Sequence, residues 1–115
     1  MTTTISTHVL DTSLGAPAAG IRVQIARVDG TGSSVVIGEG ITNNDGRVPA
    51  LAPIGAALVA GRYRLRFEVS TYFSLTKRPT FYDEITIDFR VTETGSHYHV
   101  PLLLSPFGYS TYRGS

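Results

Sequence analysis

Residues 62–69, Arg-Tyr-Arg-Leu-Arg-Phe-Glu-Val, alternate charged and apolar side chains without a break. Successive side chains of a strand point to opposite faces, so this run reads as a half-buried β-strand. Tyr63, Leu65, Phe67 and Val69 form its inner face; Arg62, Arg64, Arg66 and Glu68 form its outer one. The same period recurs in Ile85, Ile87, Phe89 and Val91 against Glu84, Thr86, Asp88 and Arg90, and in Ile21, Val23 and Ile25 against Arg22 and Gln24. Val35–Ile41 is a fourth candidate strand, in which Gly38 and Gly40 suggest a bulge or bend. Turn signals separate these runs: Gly15, Pro17 and Gly20; Asp29-Gly30-Thr31-Gly32; Asn43-Asn44-Asp45-Gly46; Glu93–Ser96; and Ser105-Pro106-Phe107-Gly108. Strands at such short intervals predict an all-β sandwich or barrel. One or two helical turns fit Thr71–Lys77, closed by Pro79.

A chain of 115 residues is enough for one domain, expected here to span residues 1–115. It contains no cysteine, so no disulfide or thiolate metal site can form. The formal charge of +1, with scattered basic residues, predicts neither nucleic-acid nor membrane-surface binding. The nearly apolar stretch from Ile54 to Ala60 is too short to span a bilayer. Met1-Thr2-Thr3-Thr4 shows neither a basic nor an apolar leader region, so a cytoplasmic location is expected, or a periplasmic one if a leader has been trimmed.

The residues able to carry chemistry are few. His8 lies on the more polar face of Thr4–Asp11, with Thr4, Ser6 and Leu10; a lone strand histidine is ordinarily a surface residue. His97 and His99, two apart, share a face of a second strand, with Tyr98, Val100, Leu102 and Leu104 on the core side. Pro101 lacks a backbone donor and predicts an edge strand or bulge there. His8, His97 and His99 would also make three imidazoles, a ligand set of catalytic zinc sites; the bland alternative leaves one histidine solvated and one packed on the sheet. Arg47 follows the Asn43–Gly46 turn and places a permanent cation at a strand end. Phosphate-binding glycine loops, a Gly-x-Ser-x-Gly elbow and a cysteine nucleophile are absent from the sequence.

Several segments resemble the 5-hydroxyisourate hydrolase (transthyretin-related) family. They are Ser6-Thr7-His8-Val9-Leu10-Asp11-Thr12, Pro17-Ala18-Ala19-Gly20, Asp45-Gly46-Arg47, and the ending from His97 through Pro106, then Gly108-Tyr109-Ser110-Thr111-Tyr112-Arg113-Gly114-Ser115. The resemblance covers the whole chain and is most specific at the terminal stretch. It implies a transthyretin-like (prealbumin-like) sandwich of two four-stranded sheets with one short helix. It also implies a homotetramer, a dimer of dimers, with active sites in the cleft between dimers. The implied reaction is hydrolysis of 5-hydroxyisourate to 2-oxo-4-hydroxy-4-carboxy-5-ureidoimidazoline after urate oxidation, with no cofactor and no metal.

Carried onto this chain, the implied catalytic residues are His8, His99, Arg47 and Ser115. The implied substrate contacts are His8, Arg47, Tyr112, Arg113 and Gly114; His97 matches no catalytic position of the family. A neutral imidazole can take a proton from water, and either His8 or His99 could do so. Arg47 could stabilise the oxyanion, Tyr112 could stack on the flat substrate, and Ser115 offers a hydroxyl and the terminal carboxylate. The alternatives are a transthyretin-like small-molecule carrier, a zinc hydrolase built on His8, His97 and His99, and a sandwich domain with a purely structural role.

Overall fold

The computed structural model describes residues 3–52 and 58–115. Residues 54–57 of the apolar stretch from Ile54 to Ala60, read above as too short to span a bilayer, lie outside them. The elements in order are β1 (Thr4–Asp11), β2 (Ala16–Pro17), β3 (Arg22–Val28), β4 (Ser34–Ile41), β5 (Arg47–Val48), β6 (Gly61–Glu68), α1 (Val69–Leu75), β7 (Glu84–Val91), β8 (His97–Ser105) and β9 (Gly108–Thr111). One sheet runs β4-β3-β6-β7; the other runs β2-β1-β8-β9, with β5 also paired to β1.

The second sheet therefore has five strands where four are expected. The difference lies in how its edge is built. The flank of β1 opposite β8 is covered by two short pieces, β5 beside Thr7 and His8 and β2 beside Leu10 and Asp11. Two strands thus share one strand position, and the sandwich keeps its transthyretin-like form.

The alternating runs behave as their period predicts. Tyr63, Leu65, Phe67, Ile85, Ile87, Val23 and Ile25 are buried in one cluster, joined by Ile5, Val9, Tyr98, Val100, Leu102 and Leu104 from the other sheet. The bulge expected in Val35–Ile41 is present: the β3–β4 register shifts between Ile25, opposite Gly38, and Ala26, opposite Val36. A Cβ on Gly38 would run into the carbonyl oxygen of Leu51, so this position is small because another backbone crosses it. The helix begins at Val69 straight out of β6, two residues earlier than its sequence pattern suggests, because Val69, Tyr72 and Phe73 bury against the core.

The first and last long strands lie side by side. β1 and β8 pair in parallel from Thr4↔His97 to Asp11↔Leu104. Ile5↔Tyr98, Thr7↔Val100 and Val9↔Leu102 all bury together, and a one-residue slip would turn every one of them outward. β8 is consequently an interior strand, between β1 and β9, and not the edge that Pro101 suggests. The proline is tolerated because the β8–β9 ladder stops at Leu102↔Thr111 and resumes only at a His99–Gly114 bridge. The missing N–H falls in that gap, where Thr111 Oγ1 donates instead to the Pro101 carbonyl at 2.7 Å.

β1 ends in a buried acid. Asp11 is fully buried; its carboxylate accepts from Arg78 at 2.6 Å, Tyr72 Oη at 2.7 Å and Ser13 Oγ at 2.5 Å. Burial alone would raise its pKa, but hydrogen bonds from Arg78, Ser13 and Tyr72 outweigh burial and hold it down, from 3.8 to about 2. Burial and the same carboxylate push the Tyr72 hydroxyl up to about 12. A carboxylate with a depressed folded-state pKa stabilises above its unfolded value and loses that contribution as the pH falls toward the folded one. The shift corresponds to about 2 kcal/mol, present near neutrality and lost between about pH 4 and pH 2. Urea denaturation of Asp11→Asn is expected to show about 2–4 kcal/mol lower stability at pH 7 and a flatter acid limb than the wild type. Identical acid limbs would show that the clamp does not carry this term.

Candidate active site

The parallel pairing of β1 with β8 sets one row of side chains beside another on the outer face of the sheet. Ser6 lies opposite His99, and Thr4 opposite His97. On the other flank of β1, His8 pairs with Arg47 of β5. The tight turn before Arg47 fixes that pairing. Asn43 Oδ1 accepts from the amides of Asp45 and Arg47, and Gly46 adopts φ 76°. Gly46 also abuts β1: its carbonyl accepts from the Val9 amide at 2.7 Å, and a Cβ there would strike the Val9 carbonyl oxygen. Only glycine satisfies both demands.

The chain end completes the site. After β9 the tail follows β8 in the same antiparallel register, and the Gly114 amide donates to the His99 carbonyl at 2.8 Å. Register alternation turns Tyr112 and Gly114 toward the histidines and Arg113 away. A Cβ added to Gly114 would lie 2.5 Å from His99 Cδ2 and 3.3 Å from Pro101 Cγ.

These pieces enclose an open cavity of about 400 Å³, lined by Ser6, His8, Arg47, His97 and His99, with Tyr112, Gly114 and Ser115 closing one side. That volume falls in the range of small-molecule sites. Of the residues expected from the sequence, His8, Arg47, His99, Tyr112, Gly114 and Ser115 come together here. Arg113 does not line the cavity; its guanidinium lies over the Tyr98 ring, 4.6 Å from the centroid. His97 does line it, although the sequence gives it a bland reading or a place in a zinc alternative, and so does Ser6, to which the sequence assigns no role. The one available signal was their shared strand face with His8 and His99.

The electrostatics favour neutral imidazole. Partial burial lowers the pKa of His99, and the Arg47 guanidinium, His97 and His8 push it down further. At pH 7 His99 can therefore accept a proton, while Arg47 keeps a fixed positive charge opposite it. Among the described residues, no three His, Cys, Asp or Glu side chains are gathered to hold a metal ion.

Comparisons with known proteins bear on the family and the fold. The family model described as HIUase/Transthyretin family matches residues 5–114. A 5-hydroxyisourate hydrolase of Deinococcus radiodurans is 47% identical, with 96% of this chain and 95% of the relative covered. Among solved structures, the Klebsiella pneumoniae 5-hydroxyisourate hydrolase superposes with a TM-score of 0.81 at 38% identity, covering 98% of this chain and 94% of that one. Sea bream transthyretin, solved in complex with thyroxine, superposes with a TM-score of 0.87 at 27% identity, covering 96% and 93%.

Proposed function

The chain belongs to the HIUase/transthyretin family, and from that premise we propose that its cavity opens the ring of 5-hydroxyisourate by water addition, with His99 as base and Arg47 as oxyanion partner. The activity is hydrolysis of 5-hydroxyisourate, in the degradation of purines through urate. The product is 2-oxo-4-hydroxy-4-carboxy-5-ureidoimidazoline. The observation that carries the reading is the convergence of His8, Arg47, His99 and the tail on one cavity, from three distant stretches of chain.

In this reading His99 takes a proton from water as the water oxygen bonds to the substrate carbonyl carbon. The charge that develops on the carbonyl oxygen is met by Arg47. His8, paired in register with Arg47, contacts the substrate from the same side. Tyr112 stacks on the flat ring, and Ser115 brings its hydroxyl to the cavity wall. The carrier reading draws on the sea bream likeness, at 27% identity, and is weaker than the hydrolase likeness at 47%.

A homotetramer, a dimer of dimers, belongs to the same proposal. It is supported by large apolar side chains that this chain leaves in solvent, including Val35, Ile41, Phe81 and Phe107, each more than half exposed. A second copy is the natural cover for such patches.

The test follows absorbance after urate oxidase has generated 5-hydroxyisourate. Adding the protein is expected to hasten decay of the intermediate well beyond its spontaneous rate. Because the base titrates below its ordinary 6.5, the acid limb of kcat/KM should fall below that pH. Decay at the spontaneous rate overturns the hydrolase reading; an acid limb above pH 6.5 overturns His99 as the base.

A further inference from the structure

Ser6 stands between two imidazoles. Its Oγ lies 2.8 Å from His97 Nε2 and 2.8 Å from His99 Nδ1. The other nitrogen of His97, Nδ1, lies 2.5 Å from Thr4 Oγ1. The two ring planes are nearly parallel, 17° apart, with centroids separated by 6.4 Å. His97 and Thr4 are exposed, whereas Ser6 is buried and His99 partly so. A line of hydrogen-bonding atoms thus runs from the cavity to solvent.

A serine hydroxyl has one hydrogen, so Ser6 can donate to only one of its two neighbours. The other must donate an N–H to the serine oxygen. If Ser6 donates to His99 Nδ1, then neutral His99 carries its hydrogen on Nε2 and has no free lone pair for water. If Ser6 donates to His97 Nε2, then His99 keeps Nδ1–H, and Nε2 is left as the acceptor. In that second state neutral His97 carries its hydrogen on Nδ1, toward Thr4. The tautomers of the two rings are therefore locked to each other through one hydroxyl.

We propose that Ser6 and His97 are positioning residues for the hydrolysis, forming a relay behind His99 that holds its Nε2 free and takes up the proton His99 gains. This rests on His99 being the base. The steps balance as follows. As water attacks the carbonyl carbon, its O–H bond breaks and the proton goes to His99 Nε2. The His99 Nδ1 proton passes to Ser6 Oγ, and the serine's own hydrogen passes to His97 Nε2. His99 and Ser6 end neutral, and the positive charge sits on His97. When the ring carbon–nitrogen bond breaks, the leaving nitrogen takes the Nε2 proton and the relay runs in reverse.

The surroundings favour this direction. His99 is partly buried with Arg47 and His8 facing it, so an imidazolium there is opposed by a fixed cation. His97 faces Thr4, Ser6 and solvent, where a charge is hydrated.

The experiment compares wild type, Ser6→Ala and His97→Gly in the 5-hydroxyisourate assay, with rates measured across H2O–D2O mixtures. Both variants are expected to lose on the order of tenfold in kcat with KM changed less than about twofold. The wild-type dependence on deuterium fraction should be curved, from several protons moving together, and that of Ser6→Ala linear. Added imidazole should restore kcat to His97→Gly. Unchanged kcat and an unchanged deuterium dependence in Ser6→Ala overturn the relay, as does a loss in His97→Gly that imidazole cannot rescue. If Ser6→Ala fails to fold, the exposed His97 variant still decides. An active His99→Ala would instead remove the base assignment on which the relay depends.

Discussion

Replacing His99 by alanine is expected to lower kcat for 5-hydroxyisourate hydrolysis by about 10²–10⁴-fold, the usual worth of a general base. The fold should survive. His99 is only partly buried, lies outside the core cluster, and its backbone bond from the Gly114 amide does not depend on the side chain. Circular dichroism and thermal unfolding check that, and stopped-flow absorbance reads the rate. Arg47→Ala should fall in a similar range, because Arg47 provides the permanent cation of the cavity wall. The two single variants act on one transition state, so their combined loss should be smaller than the product of the separate ones. Near-wild-type rates in both would remove the cavity as the site of reaction.

The second large effect is expected at a residue with no side chain. Gly114→Ala adds a single methyl group that would meet His99 Cδ2 at 2.5 Å. Such an approach cannot be sustained, and the ring and the tail must part. A tail tied here by the Gly114 amide bond to His99 and by Arg113 on Tyr98 can yield as well as the ring. Either movement displaces His99, Tyr112 or Ser115 from the arrangement seen here. A misplacement of about 1 Å can cost about 100-fold, and a loss of that size in kcat/KM is expected. Stability should change little, because Gly114 itself is outside the core cluster, and the tail meets that cluster through Arg113 on the Tyr98 ring, which faces away from the added methyl. Full activity in Gly114→Ala would show that the close approach of tail and histidine is not needed for turnover.

Both predictions depend on features that are unequally legible in the sequence. The half-buried strands were readable because their period is local: each of Tyr63, Leu65 and Phe67 declares its face within a few residues. The Asn43–Gly46 turn was readable for the same reason, since positive φ and side-chain bonding to nearby amides are local demands. His8, Arg47, His99 and the tail were recognised through resemblance of their short segments, each separately.

The relations among those segments were not readable. Ser6 meets His99, and Thr4 meets His97, only because strands about 90 residues apart pair in one register. That register is chosen by burying Ile5, Thr7 and Val9 together with Tyr98, Val100 and Leu102, a condition on two surfaces that neither segment carries alone. Asp11 shows the same limit: nothing near it in sequence announces that Tyr72 and Arg78 will close over it. Arg113 shows it in reverse, since a residue inside the most specific motif turns away onto Tyr98 by simple alternation along the tail after β9. The sequence by itself determined the strands, their inward faces, the turns and the candidate chemical groups, because short-range periodicity and backbone sterics suffice for these. Tertiary structure alone decided that two imidazoles share one serine and that Gly114 lies against the His99 ring, because packing sets inter-strand register over the whole core.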